Sequence, residues 1–84
     1  DDTEITDTSQ VIHLTVAANF NLKLPDGVAV GEEKLVIIAA NAGSHNLIIK
    51  DSGGVTAATE NSVAQHTVIR LVYTEASPKW TKLA

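Results

Sequence analysis

The sequence predicts an all-β domain, a small antiparallel β-sandwich or barrel of six to seven short strands. Three observations support this prediction. Apolar residues alternate with polar residues along several short segments, which is the period of a β-strand. Turn-forming Gly, Pro and Asn residues separate those segments. No segment sustains the 3.6-residue period of an amphipathic helix, which argues against an α/β fold.

The first half of the chain contains two or three predicted strands. Residues 11–16 and 19–24 alternate between apolar and polar side chains, and Ala17-Ala18-Asn19 interrupts the pattern, so they predict two strands or one strand with a bend. Pro25-Asp26-Gly27 is a strong turn signal, because Pro presets its own φ and Gly accepts conformations that other residues avoid. The following run at 34–40 is apolar almost throughout, which is typical of a strand covered on both faces.

The second half continues the same pattern. Residues 45–50 predict a strand, and the DSGG sequence at 51–54 predicts a turn. The stretch at 55–65 is weakly patterned and favours a short edge strand and a loop, with a helix over 57–65 as the alternative. A closing hairpin is predicted from strands at 66–74 and 79–83.

Trp80 in this hairpin is the only tryptophan of the chain. We expect it to pack on the end of a sheet and hold the last strand in place. A buried indole N–H requires a hydrogen-bond acceptor, so we also expect one beside it.

The charge distribution divides the chain into a flexible acidic N-terminal arm, residues 1–9, and a single β-sandwich domain, residues 10–84. The net charge is −4, and four of the ten acidic residues lie in the arm, which leaves six acidic against six basic residues in the domain. A neutral domain lacks the clustered Lys and Arg that nucleic acids and anionic membranes require, so we expect neither partner. No apolar run approaches the roughly 20 residues of a transmembrane helix.

No residue pattern predicts catalysis or a cofactor. His13, His45 and His66 are scattered rather than spaced as metal ligands, and no nucleophile elbow or phosphate-binding loop occurs. We therefore expect no enzyme, no metal and no cofactor. The chain contains no Cys, which excludes disulfides, so oligomerisation is the remaining common way to stabilise so small a domain.

Several predicted strands carry apolar side chains on both faces, although a two-layer sandwich needs only one apolar face per strand. Such a surplus forms a patch when the strands are neighbours, and a large patch usually marks an interface. We therefore predict a homo-oligomer interface made by Val11, Val36, Ile38, Ile48, Val68 and Val72. The alternative is that the loops at 25–33 and 55–65 cover these residues within one subunit.

The stretch LIIKDSGG together with HTVIRLVYTEASPKWTKLA resembles a pattern of small β-structured bacteriophage virion proteins, as does NFNLKLPDG followed by EKLVIIAANAG. Such modules occur in head-decoration (cement) proteins and in tail-fibre or head-fibre domains. The resemblance implies a non-enzymatic structural protein of the virion, commonly a trimer.

A compact domain with an arm favours decoration of the capsid surface, with the major capsid protein as partner. The arm would then dock on the shell, through residues Asp1, Asp2, Thr3, Glu4, Ile5, Thr6 and Asp7. The alternative is a fibre module that binds a receptor or glycan, with Trp80 or His45 in its pocket. A cell-surface adhesion domain is a third alternative.

Overall fold

The structure, a computed structural model, describes residues 4–6 and 10–83 and confirms the predicted all-β fold. Two stacked four-stranded sheets contain all the strands of the described residues, and no helix occurs among them. The strands are β1 (Glu4–Thr6), β2 (Val11–Thr15), β3 (Phe20–Lys23), β4 (Glu33–Ala40), β5 (Leu47–Lys50), β6 (Thr56–Glu60), β7 (Val68–Tyr73) and β8 (Trp80–Leu83). The alternative of a helix over 57–65 is wrong, because strand β6 occupies the first half of that stretch.

The strand order is β1-β3-β5-β6 in the first sheet and β2-β4-β7-β8 in the second sheet. From β1 to β5 the chain alternates between the two sheets at every step. Strands two apart in sequence therefore run in the same direction, and β1–β3, β3–β5 and β2–β4 are parallel pairs. The β5–β6, β4–β7 and β7–β8 pairs are antiparallel. The sandwich is thus mixed rather than antiparallel throughout, which corrects that part of the prediction.

The core lies between the two sheets and is built from alternate residues of the strands, as the period-2 pattern predicts. Burying such side chains is the main favourable contribution to folding. The buried apolar residues are Ile12, Leu14, Val16, Leu22, Leu24, Val36, Ile38, Leu47, Ile49, Ala58, Val63, Ile69, Leu71, Tyr73 and Trp80.

Trp80 fills the core at one end of the second sheet, as predicted. Its side chain is fully buried, and its indole Nε1 donates a hydrogen bond of 3.1 Å to the Pro25 carbonyl oxygen. The Tyr73 ring packs against it, with the two centroids 5.2 Å apart. The Lys34 Nζ lies 5.7 Å from the Trp80 ring centroid, at a distance where the ring attracts a cation.

The N-terminal arm differs from the prediction where the structure describes it. Residues 4–6 form β1, which pairs in parallel with β3 over the register Glu4–Asn21 to Thr6–Lys23. The backbone groups of β3 at that edge would otherwise lack partners, which gives this short strand a reason to dock. The remaining arm residues, 1–3 and 7–9, lie outside the described residues.

Candidate interaction surface

The outward face of the second sheet is the candidate functional site. Backbone pairing places its outward side chains in rows across the sheet. Val11, Leu35, Arg70 and Leu83 form one row. His13, Ile37 and Val68 form the next row, and Glu33, Val72 and Thr81 form the row on the other side.

Six apolar side chains dominate these rows, and we call them the outer apolar face: Val11, Leu35, Ile37, Val68, Val72 and Leu83. Val68 is 53% exposed and Val11 is 44% exposed. The other four are half-buried. Because Val11 and Val68 are exposed, the alternative of intramolecular cover fails for these two residues.

One ion pair crosses the outer apolar face. Arg70 Nη2 lies 2.6 Å from Glu33 Oε1, and both side chains are about half exposed at 53% and 43%. Exposed pairs of this kind contribute little to folding stability. The two residues carry the formal charges of the three rows, and these charges cancel. The face therefore has no net charge that would repel a second copy of itself.

The outward face of the first sheet is different in character. Across β3, β5 and β6 the central row is Asn21, Ile48 and Thr59, and the next row contains Lys23 and Lys50. The register of β1 adds Glu4 at the position beside Asn21. A single Ile among polar and charged neighbours is an ordinary surface residue. The two outer faces of the sandwich are therefore unlike, and among the described residues the contiguous apolar surface lies on the second sheet.

These positions correct the predicted interface. Val36 and Ile38 are fully buried between the sheets, so they cannot meet another subunit in this fold. Ile48 lies on the opposite face of the sandwich, apart from the other predicted members. Val11, Val68 and Val72 remain, and the structure brings them together on the second sheet. Whether this surface binds a second copy stays a prediction.

The residues that the sequence interpretation missed are Leu35, Ile37 and Leu83. Strand β4 is apolar at nearly every position, so its pattern alone does not tell which alternate set faces inward. The charge of Lys34 favours an outward position for it, and therefore for Val36 and Ile38 as well. In the structure Lys34 is instead buried, 4% exposed, beside Trp80. The outward set becomes evident only from the pairing of β4 with β7 in the structure, which aligns Leu35 with Arg70 and Ile37 with Val68.

A second feature is the end of the sandwich where three loops meet. Asp51 is buried there and accepts hydrogen bonds from the backbone N–H groups of Gly53, Val55 and Lys79 at 2.9 to 3.0 Å. Burial by itself raises the pKa of Asp51, but the donors from Lys79, Val55 and Gly53 outweigh it and hold that pKa below its ordinary value. Asp51 is thus a structural anion that connects two loops.

The loop between β3 and β4 projects from the same end. The Val28 N–H donates to the Glu32 carboxylate at 2.9 Å, and the Gly31 N–H donates to the Tyr73 carbonyl at 2.9 Å. Its tip nevertheless leaves Val28 at 95% and Val30 at 62% exposure. Beside it, Ser52 donates a hydrogen bond to Asp26; this bond, more than the nearby Lys79 ammonium, lowers the pKa of Asp26.

The candidate residues for chemistry and ligand binding are dispersed. His13 lies on the outward face of the second sheet, His66 lies in the loop between β6 and β7, and His45 is half-buried near the start of β5. Among residues 4–6 and 10–83, no three His, Asp or Glu side chains form a group that could hold a metal ion. Trp80 is fully buried, so it cannot stack on a sugar from the surface.

Comparison with known proteins identifies no family. No protein-family model and no curated protein matches the chain. One solved structure, described as a chaperone–substrate complex, superposes with a TM-score of 0.42 at 16% identity; the match covers 98% of this chain and 17% of that chain. A similarity of that size says nothing about function. In the described part of the chain, no helix has the length and hydrophobicity to cross a membrane.

Proposed function

We propose that this protein is a non-enzymatic structural module that associates with further copies of itself through the outer apolar face, as a decoration protein on the outside of a virus capsid. The observation that supports the proposal is the contrast between the two outer faces. One face is polar and charged, whereas the other presents six apolar side chains, of which Val11 and Val68 are exposed. Exposure of such a surface to water is thermodynamically unfavourable, and association removes the surface from water.

The size of the face sets the strength of a single contact. Four strands spaced about 4.8 Å apart and five residues of about 3.3 Å each give a footprint of roughly 300 Å². Stable complexes bury about 800 Å² per partner. One such contact is therefore weak, and the protein would bind tightly only when many copies act together, as on a repeating shell.

The capsid part of the proposal comes from the resemblance to small phage virion proteins and from the arm. In the structure the arm strand β1 already completes the edge of the first sheet. The arm would therefore meet the shell by accepting a strand of the capsid protein at the outer edge of β1, rather than by ordering from a free tail. A trimer is our first choice for the oligomer.

Oligomer mass in solution tests the self-association. We expect the protein to form oligomers whose mass, measured by light scattering across a dilution series, decreases when Val68→Lys is introduced. Thr59→Lys adds the same charge to an exposed position of the first sheet and should leave the mass unchanged. A protein that stays a monomer at millimolar concentration would refute association through this face.

The capsid role has its own test. The chain should be present in many copies on purified particles of the phage that encodes it, and an antibody against the folded domain should label intact particles. Its absence from such particles would refute the virion role and leave the self-association standing.

A further inference from the structure

We infer that strand β2 is a second association site, at which two copies of this chain pair edge to edge in antiparallel orientation with His13 on the two-fold axis. The site is the backbone edge of β2, which is distinct from the outer apolar face. The inference rests on the direction of hydrogen-bonding groups and holds whether or not the proposed capsid function is correct.

The pairing with β4 fixes which backbone groups of β2 are still available. Leu35 N–H donates to the Gln10 carbonyl at 2.9 Å, and Val16 N–H donates to the Ala40 carbonyl at 2.8 Å. In a parallel ladder the residues that bond to one neighbour alternate with those that point away. The even-numbered residues of β2 therefore bond to β4. The N–H and C=O groups of Val11, His13 and Thr15 point to the opposite side.

That opposite side has no strand beside it among the described residues, where β2 is an edge strand of the second sheet. Natural edge strands are usually protected by Lys, Pro or a bulge. Strand β2 reads VIHLT, with no Lys and no Pro, and the irregularity of its ladder falls at its very end, between Leu14 and Thr15. It is a regular five-residue edge with six outward backbone groups.

On the opposite side of the sandwich, the edge strands are less accessible to a further strand. There the edge strands β6 and β8 approach each other, and Lys82 Nζ lies 2.7 Å from Glu60 Oε2 across the gap between the sheets. Lys82 also provides the charge that discourages a strand from adding to β8. In the part of the chain that the structure describes, β2 is therefore the unprotected edge of the second sheet.

A second copy of the chain fits this edge because β2 is complementary to itself under two-fold rotation. With His13 opposite the partner's His13, Val11 lies opposite the partner's Thr15 and Thr15 opposite the partner's Val11. Each of these three pairs has both backbone groups available, which gives about six hydrogen bonds. No charged side chain stands on β2, so the two strands meet without repulsion between formal charges.

The same register preserves the alternation of faces. Ile12 and Leu14 of both copies stay in their own cores, while Val11 and Thr15 of both copies stay on the outward side. The product is a continuous eight-stranded sheet that doubles the outer apolar face. An edge pair with two-fold symmetry closes on itself, so it forms a dimer rather than a fibre.

A cysteine scan tests the geometry directly, because the chain contains no Cys. In the proposed dimer the two copies of residue 13 lie about 5.5 Å apart between Cα atoms, within reach of a disulfide. His13→Cys should therefore form a disulfide-linked dimer under mild oxidation, whereas Thr59→Cys, exposed on the other sheet, should stay monomeric at the same concentration. Equal crosslinking of both variants would refute the edge pair.

A proline substitution tests the hydrogen bonds. His13→Pro removes an N–H that points away from β4, so the fold should survive with an unchanged circular dichroism spectrum. Loss of two hydrogen bonds across the axis should raise the dimer dissociation constant at least about tenfold. His13→Thr keeps the N–H and should dimerise like the wild type; loss of dimer in that control as well would overturn the backbone mechanism.

The two proposed association sites can be tested independently of each other. Val68→Lys disrupts the outer apolar face but should not prevent crosslinking through Cys at position 13. If Val68→Lys abolishes that crosslink, the contact belongs to the outer apolar face and the edge pair is rejected. If His13→Pro changes nothing, the edge pair is likewise rejected while the face remains a candidate.

Discussion

Asp51 Oδ2 accepts a hydrogen bond of 3.0 Å from the backbone N–H of Lys79, 28 residues further along the chain. The contact joins the turn between β5 and β6 in the first sheet to the loop between β7 and β8 in the second sheet. The backbone ladders do not connect the two sheets, because each ladder runs within its own sheet. The buried carboxylate makes such a connection at this end, and the folding stability of the domain should depend on it.

We expect Asp51→Ala to destabilise the domain by about 2–4 kcal/mol, because it leaves three backbone donors without their acceptor in a buried site. Urea denaturation followed by tryptophan fluorescence measures the loss. Asp26→Ala is the matched control. It removes an exposed carboxylate at the same end of the sandwich and should have a much smaller effect. Equal losses for the two variants would contradict a special role for Asp51.

The lowered pKa of Asp51 predicts an acid dependence of stability. A carboxyl whose pKa is lower in the folded state than in the unfolded state stabilises the fold fully above its unfolded value, about 3.9. That contribution is lost as the pH falls through the lower, folded pKa. Urea midpoints measured between pH 2 and pH 6 should therefore drop below about pH 4. Asp51→Asn, which has no proton to bind there, should show a flatter curve; an unchanged slope would count against the assignment.

Strand structure was predicted at the positions of seven of the eight described strands, including the closing hairpin with Trp80. The period-2 pattern indicated most of these, whereas the weakly patterned β6 was inferred from its composition. The pattern was not sufficient to predict the pairing. Adjacent segments such as β2 and β3 look like hairpin partners in sequence, whereas the short connection between them carries the chain to the other sheet. Local propensity describes a strand and its two faces, but the choice of neighbour depends on the packing of the whole domain.

The choice of the β4 residues that face the core shows a second limit of prediction from the sequence. Lys34 shares its face with Val36 and Ile38, and a charged residue ordinarily indicates the solvent side. Here the aliphatic stem and ammonium of Lys34 are buried against the aromatic surface of Trp80, which lies 46 positions further along the chain. Only the tertiary structure brings those two residues together. The outer apolar face was therefore predicted to exist but was assigned partly to the wrong residues.

The corrected assignment of faces predicts opposite behaviour for two valines. Val36→Ala leaves a cavity in the core and should cost about 1–3 kcal/mol of folding stability without acting directly on association. Val68→Ala, at a position 53% exposed, should change monomer stability by less than about 0.5 kcal/mol and weaken self-association instead. Urea denaturation at low concentration and sedimentation at high concentration separate the two effects. The reverse pattern would restore the original assignment of β4.

The buried indole of Trp80 gives a further prediction. Trp80→Phe keeps an aromatic ring but removes the N–H that bonds to the Pro25 carbonyl, and it leaves part of the core unfilled. We expect a loss of about 2–3 kcal/mol in the free energy of unfolding, measured by thermal denaturation with circular dichroism. Thr81→Ala, the exposed neighbour, is the control and should be nearly neutral. A neutral Trp80→Phe would show that the indole serves something other than the core.

The close approach of Gly27 to Tyr73 gives the final prediction. A Cβ atom on Gly27 would lie 2.6 Å from the Tyr73 Cγ, so the loop that presents Val28 and Val30 rests on the ring through bare backbone. Gly27→Ala must push the loop away from the ring or shift the ring within the core, and overpacking of this kind costs about 1–3 kcal/mol. Thermal denaturation of Gly27→Ala and Gly53→Ala makes the comparison. Gly53 is the matched control because its added Cβ would meet its nearest neighbour, the Asp51 carboxylate, at an ordinary 3.4 Å. Equal melting temperatures for the two variants would mean that the loop can lift from Tyr73 at no cost, and its exposed valines would then not be held in a fixed position.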